Sequence, residues 1–418
     1  VPPCTIILRK GNTVMPTFAV RRPRQNGHRR FHLTPAAFFA VGFLLLLLVP
    51  ATGRAQVTDT TKVDSLLLHE LERQMTPPAP PAAAEAPAQP RSAISTNPNM
   101  SVIGDFQGSY QSDIRRKLDA YLNEAEISIQ SVVDPYARAD FFVSLGRDPA
   151  TGTFGADLEE GYVTSTDLPA GLQVKAGKFR GMFGRLNAVH PHALPFIDMP
   201  NVYANYLGEE GLNDAGLSVS WLVPNPLDFY QELTFEATGG PSDNPSFARS
   251  PASRYLYLAH LKNFWDLTEN ATLELGLTGA SGPNAFEQTT TLGSVDLTYK
   301  WKPLQFNTYQ SFVWQTEALL AHVGTGTPED VRSWGMYSAM TYQLDKRYFL
   351  TGRVDYANLP TDASAAERAL SATLGWYATE FQKIELEGKT TTSNVRDQFS
   401  QLWLRWVFVI GAHGAHAY

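Results

Sequence analysis

The sequence predicts an all-β chain. It is a closed, antiparallel transmembrane β-barrel of about 16 strands, with one long loop folded inward after strand 5. Three observations predict it. From residue 100 onward, polar and apolar residues alternate in short segments with a period of two, the period of a β-strand. The connections between those segments alternate between short and long. Aromatic residues make up 11% of the chain while the mean hydropathy is only -0.21, too polar for membrane helices but suited to strands that are apolar on one face.

Residues 1–55 read as a secretory leader. Arg29 and Arg30 precede an apolar run at 36–49, and Gly53-Arg54-Ala55 supplies small residues around a cleavage position before Gln56. The apolar run is shorter than the ~20 residues a membrane helix needs. The single cysteine, Cys4, falls inside this leader, so a mature chain would hold no disulfide and no thiolate metal site. Of 34 Lys and Arg, eight lie in 1–55, which has no acids, so the rest carries 26 basic against 41 acidic residues. That balance disfavours a nucleic-acid partner, which would call for a basic face.

Residues 56–97 form a separate periplasmic segment in this reading. Val63, Leu66, Leu67 and Leu71 recur at helical spacing with Asp64 placed to cap. The Pro- and Ala-rich stretch 76–90 then reads as a semi-extended linker without a core.

The barrel occupies 98–418. Its strands are expected at 101–110, 121–134, 136–145, 155–165, 171–179, 215–223, 229–238, 254–262, 271–279, 292–302, 304–318, 334–342, 348–356, 368–378, 381–391 and 401–410. Within 292–302, Val295, Leu297, Tyr299 and Trp301 oppose Asp296, Thr298, Lys300 and Lys302. Lys383, Glu385, Glu387 and Lys389 share one face of 381–391, and Leu402, Leu404, Trp406, Phe408 and Ile410 form one row of the last strand.

A soluble sandwich also has one polar face per strand, so the connections decide. Short turns are expected at 134–135, 167–170, 224–227, 303, 344–346 and 379–380. Longer loops are expected at 146–154, 180–214, 239–253, 280–291, 319–333, 358–367 and 392–400. Short turns at one end and long loops at the other describe an outer-membrane barrel. An even strand count places both ends of the barrel on the short-turn, periplasmic side. All eight Trp lie beyond residue 220, as interfacial girdles would require.

The stretch 180–213, RGMFGRLNAVHPHALPFIDMPNVYANYLGEEGLN, breaks the alternation. A loop this long is usually functional, and inside a barrel it is placed to narrow the lumen. Its constriction candidates are Arg180, Arg185, His190, His192, Asp198, Glu209 and Glu210. His190 and His192 are weak metal ligands by sequence alone, since a firm site needs three or four donors; two polar residues bonding the barrel wall is the plainer reading. Glu209-Glu210, between Gly208 and Gly211, reads as a cation-attracting rim before it reads as solvated loop or as a catalytic pair. Arg180 and Arg185 either attract anions or pair with the loop's acids. No nucleophile elbow, phosphate-binding glycine loop or zinc-protease helix is present, so no catalytic residue and no cofactor is expected.

The opening strand NPNMSVIGDFQGSY, the run GKFRGMFGRLN into the loop and GEEGLNDAGLSVSW out of it resemble the phosphate-selective porin family over 97–418. The resemblance implies a sixteen-stranded homotrimer in the outer membrane, with the loop after the fifth strand forming the constriction. It departs from that family in one respect. The loop carries Arg180 and Arg185 against Asp198, Glu209 and Glu210, where the family's selectivity rests on arrays of Arg and Lys. The expected function is a passive porin for small polar or charged solutes, with outer-membrane lipid as the other partner. The alternatives are a barrel enzyme, such as a lipid hydrolase, and a metal-ion-related channel.

Overall fold

A computed structural model of the chain describes residues 98–113, 118–147, 152–227, 229–241, 244–252, 254–327 and 329–411. The leader expected at 1–55, the segment at 56–97 and the tail beyond 411 lie outside the described residues.

Sixteen strands form in chain order. They are β1 (Asn99–Gln111), β2 (Leu118–Asp134), β3 (Ala137–Arg147), β4 (Phe154–Ser165), β5 (Leu172–Arg180), β6 (Asn213–Leu222), β7 (Tyr230–Thr238) and β8 (Leu256–Thr268). They continue as β9 (Ala271–Pro283), β10 (Thr289–Trp301), β11 (Phe312–Val323), β12 (Val331–Asp345), β13 (Tyr348–Leu359), β14 (Asp362–Thr379), β15 (Gln382–Ser393) and β16 (Phe399–Gly411). Each pairs antiparallel with its neighbours, and β1 closes on β16 from Ser101 opposite Gly411 to Gln111 opposite Gln401. Closure leaves no strand edge in the membrane, where an unpaired backbone group would cost several kcal/mol. Among the described residues no helix is long and apolar enough to cross a membrane.

Period-two alternation sets the two faces. On β10, Val295 is 49% exposed to the outside while Asp296 and Thr298 are each 2% exposed within. On β15, Glu385, Glu387 and Lys389 are buried inside and Leu386 faces out. On β16, Leu402, Leu404, Trp406 and Ile410 face out, as the sequence pattern requires, and Arg405 points in with no exposed surface.

The loops expected at 280–291, 319–333 and 392–400 shorten to 284–288, 324–330 and 394–398 because the flanking strands run on into them, and two further connections differ in kind. The loop expected at 358–367 is a two-residue hairpin, because β13 runs to Leu359 and β14 starts at Asp362 with a register shift between Asn358 and Leu359. The polar run there makes its own turn: Asn358 Nδ2 donates to Ala363 O at 3.0 Å, and Asp362 Oδ1 accepts from Ser364 N at 2.9 Å. Side chains of this kind mimic turn backbone, so a turn-rich sequence does not demand a long loop. Conversely, the tight turn expected at Pro303 is the longer segment 302–311, with a short 3-10 turn at Leu304–Phe306. Pro303 supplies no ladder N–H, and Leu304 N donates to Asn270 Oδ1 at 2.9 Å instead. Loop lengths are thus sorted between the two ends, but less cleanly than the pattern of turn residues implied.

The outward row of β16 makes a direct test. Leu404→Arg places a charge in the middle of a lipid-facing strand and should destabilise the barrel by about 2–4 kcal/mol, read by chemical unfolding in lipid bilayers. A change below about 0.5 kcal/mol, the range of ordinary surface substitutions, would contradict this assignment of faces.

Candidate functional site

The fifth connection begins where β5 and β6 part, at the pair Arg180 opposite Asn213. Asn187 holds its neck. Its Nδ2 donates to Gly181 O at 2.8 Å and Leu212 O at 3.0 Å, and its Oδ1 accepts from Leu212 N at 2.8 Å. Gly211 is required beside it. Its φ is +67°, and a Cβ there would stand 2.3 Å from Asn187 Oδ1. From this neck the chain enters the lumen and meets the inner wall nearly all the way round.

Along its first part the loop's backbone N–H groups bond to wall side chains. Met182 N donates to Glu236 on β7 at 3.0 Å, and Gly184 N donates to Thr278 on β9 at 3.1 Å. Gly184 has φ +57°, and a Cβ would overlap Glu317 Oε1 at 1.8 Å. Arg185 Nη1 reaches Glu274 on β9 at 2.6 Å. A short helix, α1 (Asn201–Leu207), presses Val202, Tyr203, Tyr206 and Leu207 into an apolar core. That core includes Phe183, Leu186, Leu194 and Phe196 of the loop, Phe247 of the next long connection, and inward residues of the wall: Leu256, Leu292, Leu319, Val323 and Tyr337. Tyr203 OH donates to Glu317 on β11 at 2.8 Å. Burial first, then the Glu317 carboxylate, holds that phenol well above its ordinary value, so it remains a donor.

The far part of the loop is held by charge. Asp198 Oδ1 lies 2.6 Å from Arg353 Nη2 on β13, and its other oxygen bonds Lys389 on β15. Arg353 is completely buried and also pairs with Asp355 at 3.0 Å. Burial opposes ionisation of Asp198, but Arg353 and Lys389 outweigh it and hold its carboxyl well below the usual range. Arg405 on β16 pairs with Glu385 and donates to three loop carbonyls, Pro191 at 3.1 Å and Leu194 and Phe196 at 3.2 Å. At the loop's reach toward β2 and β4, His190 sits between two carboxylates. Its Nδ1 is 2.7 Å from Glu126 Oε2 and its Nε2 is 2.8 Å from Glu160 Oε1. Burial alone would push the imidazole down; the two carboxylates outweigh it and raise it to about 10. His192 lies alongside, its Nδ1 3.8 Å from Glu126 Oε2.

The seven residues singled out in the sequence are therefore distributed, not gathered on one surface. Arg180, His190 and His192 are buried against the wall, Arg185 and Asp198 are nearly so, and Glu209 and Glu210 are exposed. The pairing of the loop's arginines with its own acids, one of the two roles expected of them, does not occur. Arg180 bonds Glu159 on β4, Arg185 bonds Glu274, and Asp198 takes its cations from the wall. Arg180 touches only the backbone carbonyl of Glu210, at 3.3 Å. The wall partners Glu126, Glu160, Glu317, Arg353 and Arg405 were not identified as site residues from the sequence. Their signal was present: an ionisable residue at inward parity in a membrane strand is a functional candidate by default. At the opposite mouth, a recess of about 570 Å³ is lined by Asp266, Glu269, Thr272, Lys300 and Lys302 among others.

No family model matches the chain. A protein of Aquifex aeolicus (strain VF5), described only as uncharacterized, is 29% identical over 355 residues, 74% of this chain and 72% of that one. Among solved structures the chain is similar to the outer membrane channel DcaP of Acinetobacter baumannii (TM-score 0.53, 9% identity, 76% of this chain and 98% of that one). It is similar also to an anion-selective porin from Comamonas acidovorans (0.52, 8%, 75% and 99%). OmpT of Vibrio cholerae in its trimer form is a further likeness (0.51, 8%, 75% and 100%). At such identities the likeness is one of fold, and the chain is a barrel of the outer-membrane kind.

Asp198→Asn removes one partner from a largely buried charge set. Such a break costs about 3–5 kcal/mol in general, and the lower end is expected here because 19% of the Asp198 side chain is exposed. Hydrogen exchange of the backbone at 191–199 should rise in the variant while the strands stay protected. In the wild type the sign with pH follows from the lowered carboxyl. Its contribution is present above the unfolded value of about 3.9 and is lost only as pH falls through the depressed folded value. The segment should therefore stay protected on acidification to about pH 4. Release already above that pH would contradict the pairing.

Proposed function

We propose that the chain is an outer-membrane porin that lets small polar or charged solutes diffuse passively, filtered by the loop between β5 and β6. One observation carries this reading: a loop of the barrel's own chain is held inside the lumen and bonded to its wall from β2 round to β16. Such a loop narrows the passage without any covalent step. In this reading the protein performs no reaction and its work is done by geometry and charge. A trimer of identical barrels is part of the proposal, supported by the resemblance in the loop-flanking motifs and by the trimer form of the Vibrio cholerae likeness.

The charges near the loop favour cations over phosphate. Arg180, Arg185, Arg353, Lys383, Lys389 and Arg405 each have a carboxylate partner. Lys175 lies over the rings of Tyr162 and Phe179. Glu236 and Asp296 face the interior with no ion-pair partner among the described residues, and Glu209 and Glu210 are exposed. Charge in a narrow, low-dielectric passage acts more strongly than charge on an open surface. The arginines that meet the loop are already engaged by carboxylates, which argues against phosphate selectivity.

Glu209→Gln with Glu210→Gln should move the zero-current potential of single channels in a salt gradient toward the anion side. An unchanged potential would remove these two residues from the permeation path. A wild-type channel strongly selective for chloride or phosphate would overturn the cation preference.

A further inference from the structure

The tip of the loop meets β2 and β4 in an arrangement that nothing in a passive channel requires. Glu126 on β2, His190 and His192 each bring a ligand atom within 4.8 Å of the others, and all three residues are buried. His190 Nδ1 is 2.7 Å from Glu126 Oε2 and 3.7 Å from Glu159 Oε1, and His192 Nδ1 is 3.8 Å from Glu126 Oε2. In a tetrahedral site with metal–ligand bonds of about 2.0–2.1 Å, donor atoms stand about 3.3 Å apart. The His192 separation lies near that value, and the shorter His190–Glu126 contact opens by about 0.6 Å when the ion replaces the proton the two now share.

Two independent features point to a ligand. Glu126 Oε1 and Glu159 Oε2 are buried without a hydrogen-bond partner among the described residues, and Glu126 is only 1% exposed. A buried carboxylate oxygen left in this state is costly. The second feature lies on the other side of His190, whose Nε2 meets Glu160 Oε1 at 2.8 Å. A metal-bound imidazole almost always donates its second ring N–H to a carboxylate, which fixes the tautomer and aims the free nitrogen at the ion. The charge count agrees. Glu124 joins Glu126 and Glu159 within 4.8 Å, yet Arg180 is the one Lys or Arg ion-paired with any of these acids or Glu160 among the described residues.

We propose that Glu126, His190 and His192 bind one divalent transition cation, with water completing its coordination and Glu160 as the positioning residue behind His190. Two imidazole nitrogens and one carboxylate are the donor set of a borderline cation of the zinc or cobalt class, not of calcium or magnesium. The ion offsets the surplus negative charge and ties the loop tip to β2 and β4. The site stands independently of which solute the barrel passes.

The test uses the full chain, purified in detergent, stripped with a chelator and dialysed against micromolar Zn²⁺. About one bound zinc per chain is expected for a single site of three protein donors, and Co²⁺ in its place should give the visible bands of a low-coordinate nitrogen and oxygen site. His192→Gln, which leaves His190 and both its carboxylate contacts in place, should abolish tight binding. Glu160→Gln should weaken it by about 10–100-fold. His322→Gln, at an exposed histidine beside Asp330, should change nothing. Heat-modifiable gel migration of each variant reports that the barrel is folded. No bound zinc in the wild type, or the same stoichiometry and affinity in folded His192→Gln, would overturn the site.

Discussion

A barrel of sixteen strands is too wide for its own inward side chains to fill, and left alone it encloses water. Everything particular to this molecule follows from how its own chain enters that space. A loop inside a lumen brings backbone N–H and C=O groups away from bulk water, and each must find a partner. The wall supplies them. Carboxylates on β7, β11 and β15 accept from the N–H groups of Met182, Arg185 and Ile197. Arg405 and Lys383 donate to the carbonyls of Pro191, Leu194 and Phe196. The ionisable residues of the interior are thus a scaffold for irregular backbone as well as a lining for a passage.

The two halves of the barrel hold the loop by different physics. From β8 to β13 the wall offers inward Leu, Ala, Val and Tyr side chains, and α1 packs on them as a small apolar core. Beside the Arg185–Glu274 pair on β9, the ionic and hydrogen-bonded contacts gather toward β13, β15, β16, β2 and β4. Apolar packing gives the loop a fixed seat, because volume and shape resist sliding. Charge pairing on the other side sets how far the tip extends. The proposed metal site belongs to this second half, and its protein ligands come from both the loop and the wall.

Much of the fold was legible because one physical rule writes it. A strand between lipid and water must alternate, and all sixteen strands were readable from that alternation together with the turn residues. The hairpin at 360–361 and the segment after Pro303 were misread, since turn-forming residues report where a chain reverses and not how many residues it uses. The loop itself was legible as a break in the pattern, and His190 and His192 as residues of interest within it. Their partners were not. Glu126 lies 64 residues from His190 in sequence, and Arg353 lies 155 from Asp198. Counting charge within the loop set two arginines against three acids. In space Asp198 is answered from β13 and β15, and Arg180 and Arg185 are answered from β4 and β9.

Single-channel conductance of a barrel lacking residues 183–210, with Met182 joined to Gly211 through a short glycine linker, tests the loop's role most directly. The neck pair Gly181 and Leu212 and all sixteen strands remain, so the shortened chain keeps the wall of the parent. If the loop is the filter, the conductance should rise several-fold over the parent and the ion preference should weaken. A parent channel that already conducts as freely as the loop-deleted barrel would contradict the account.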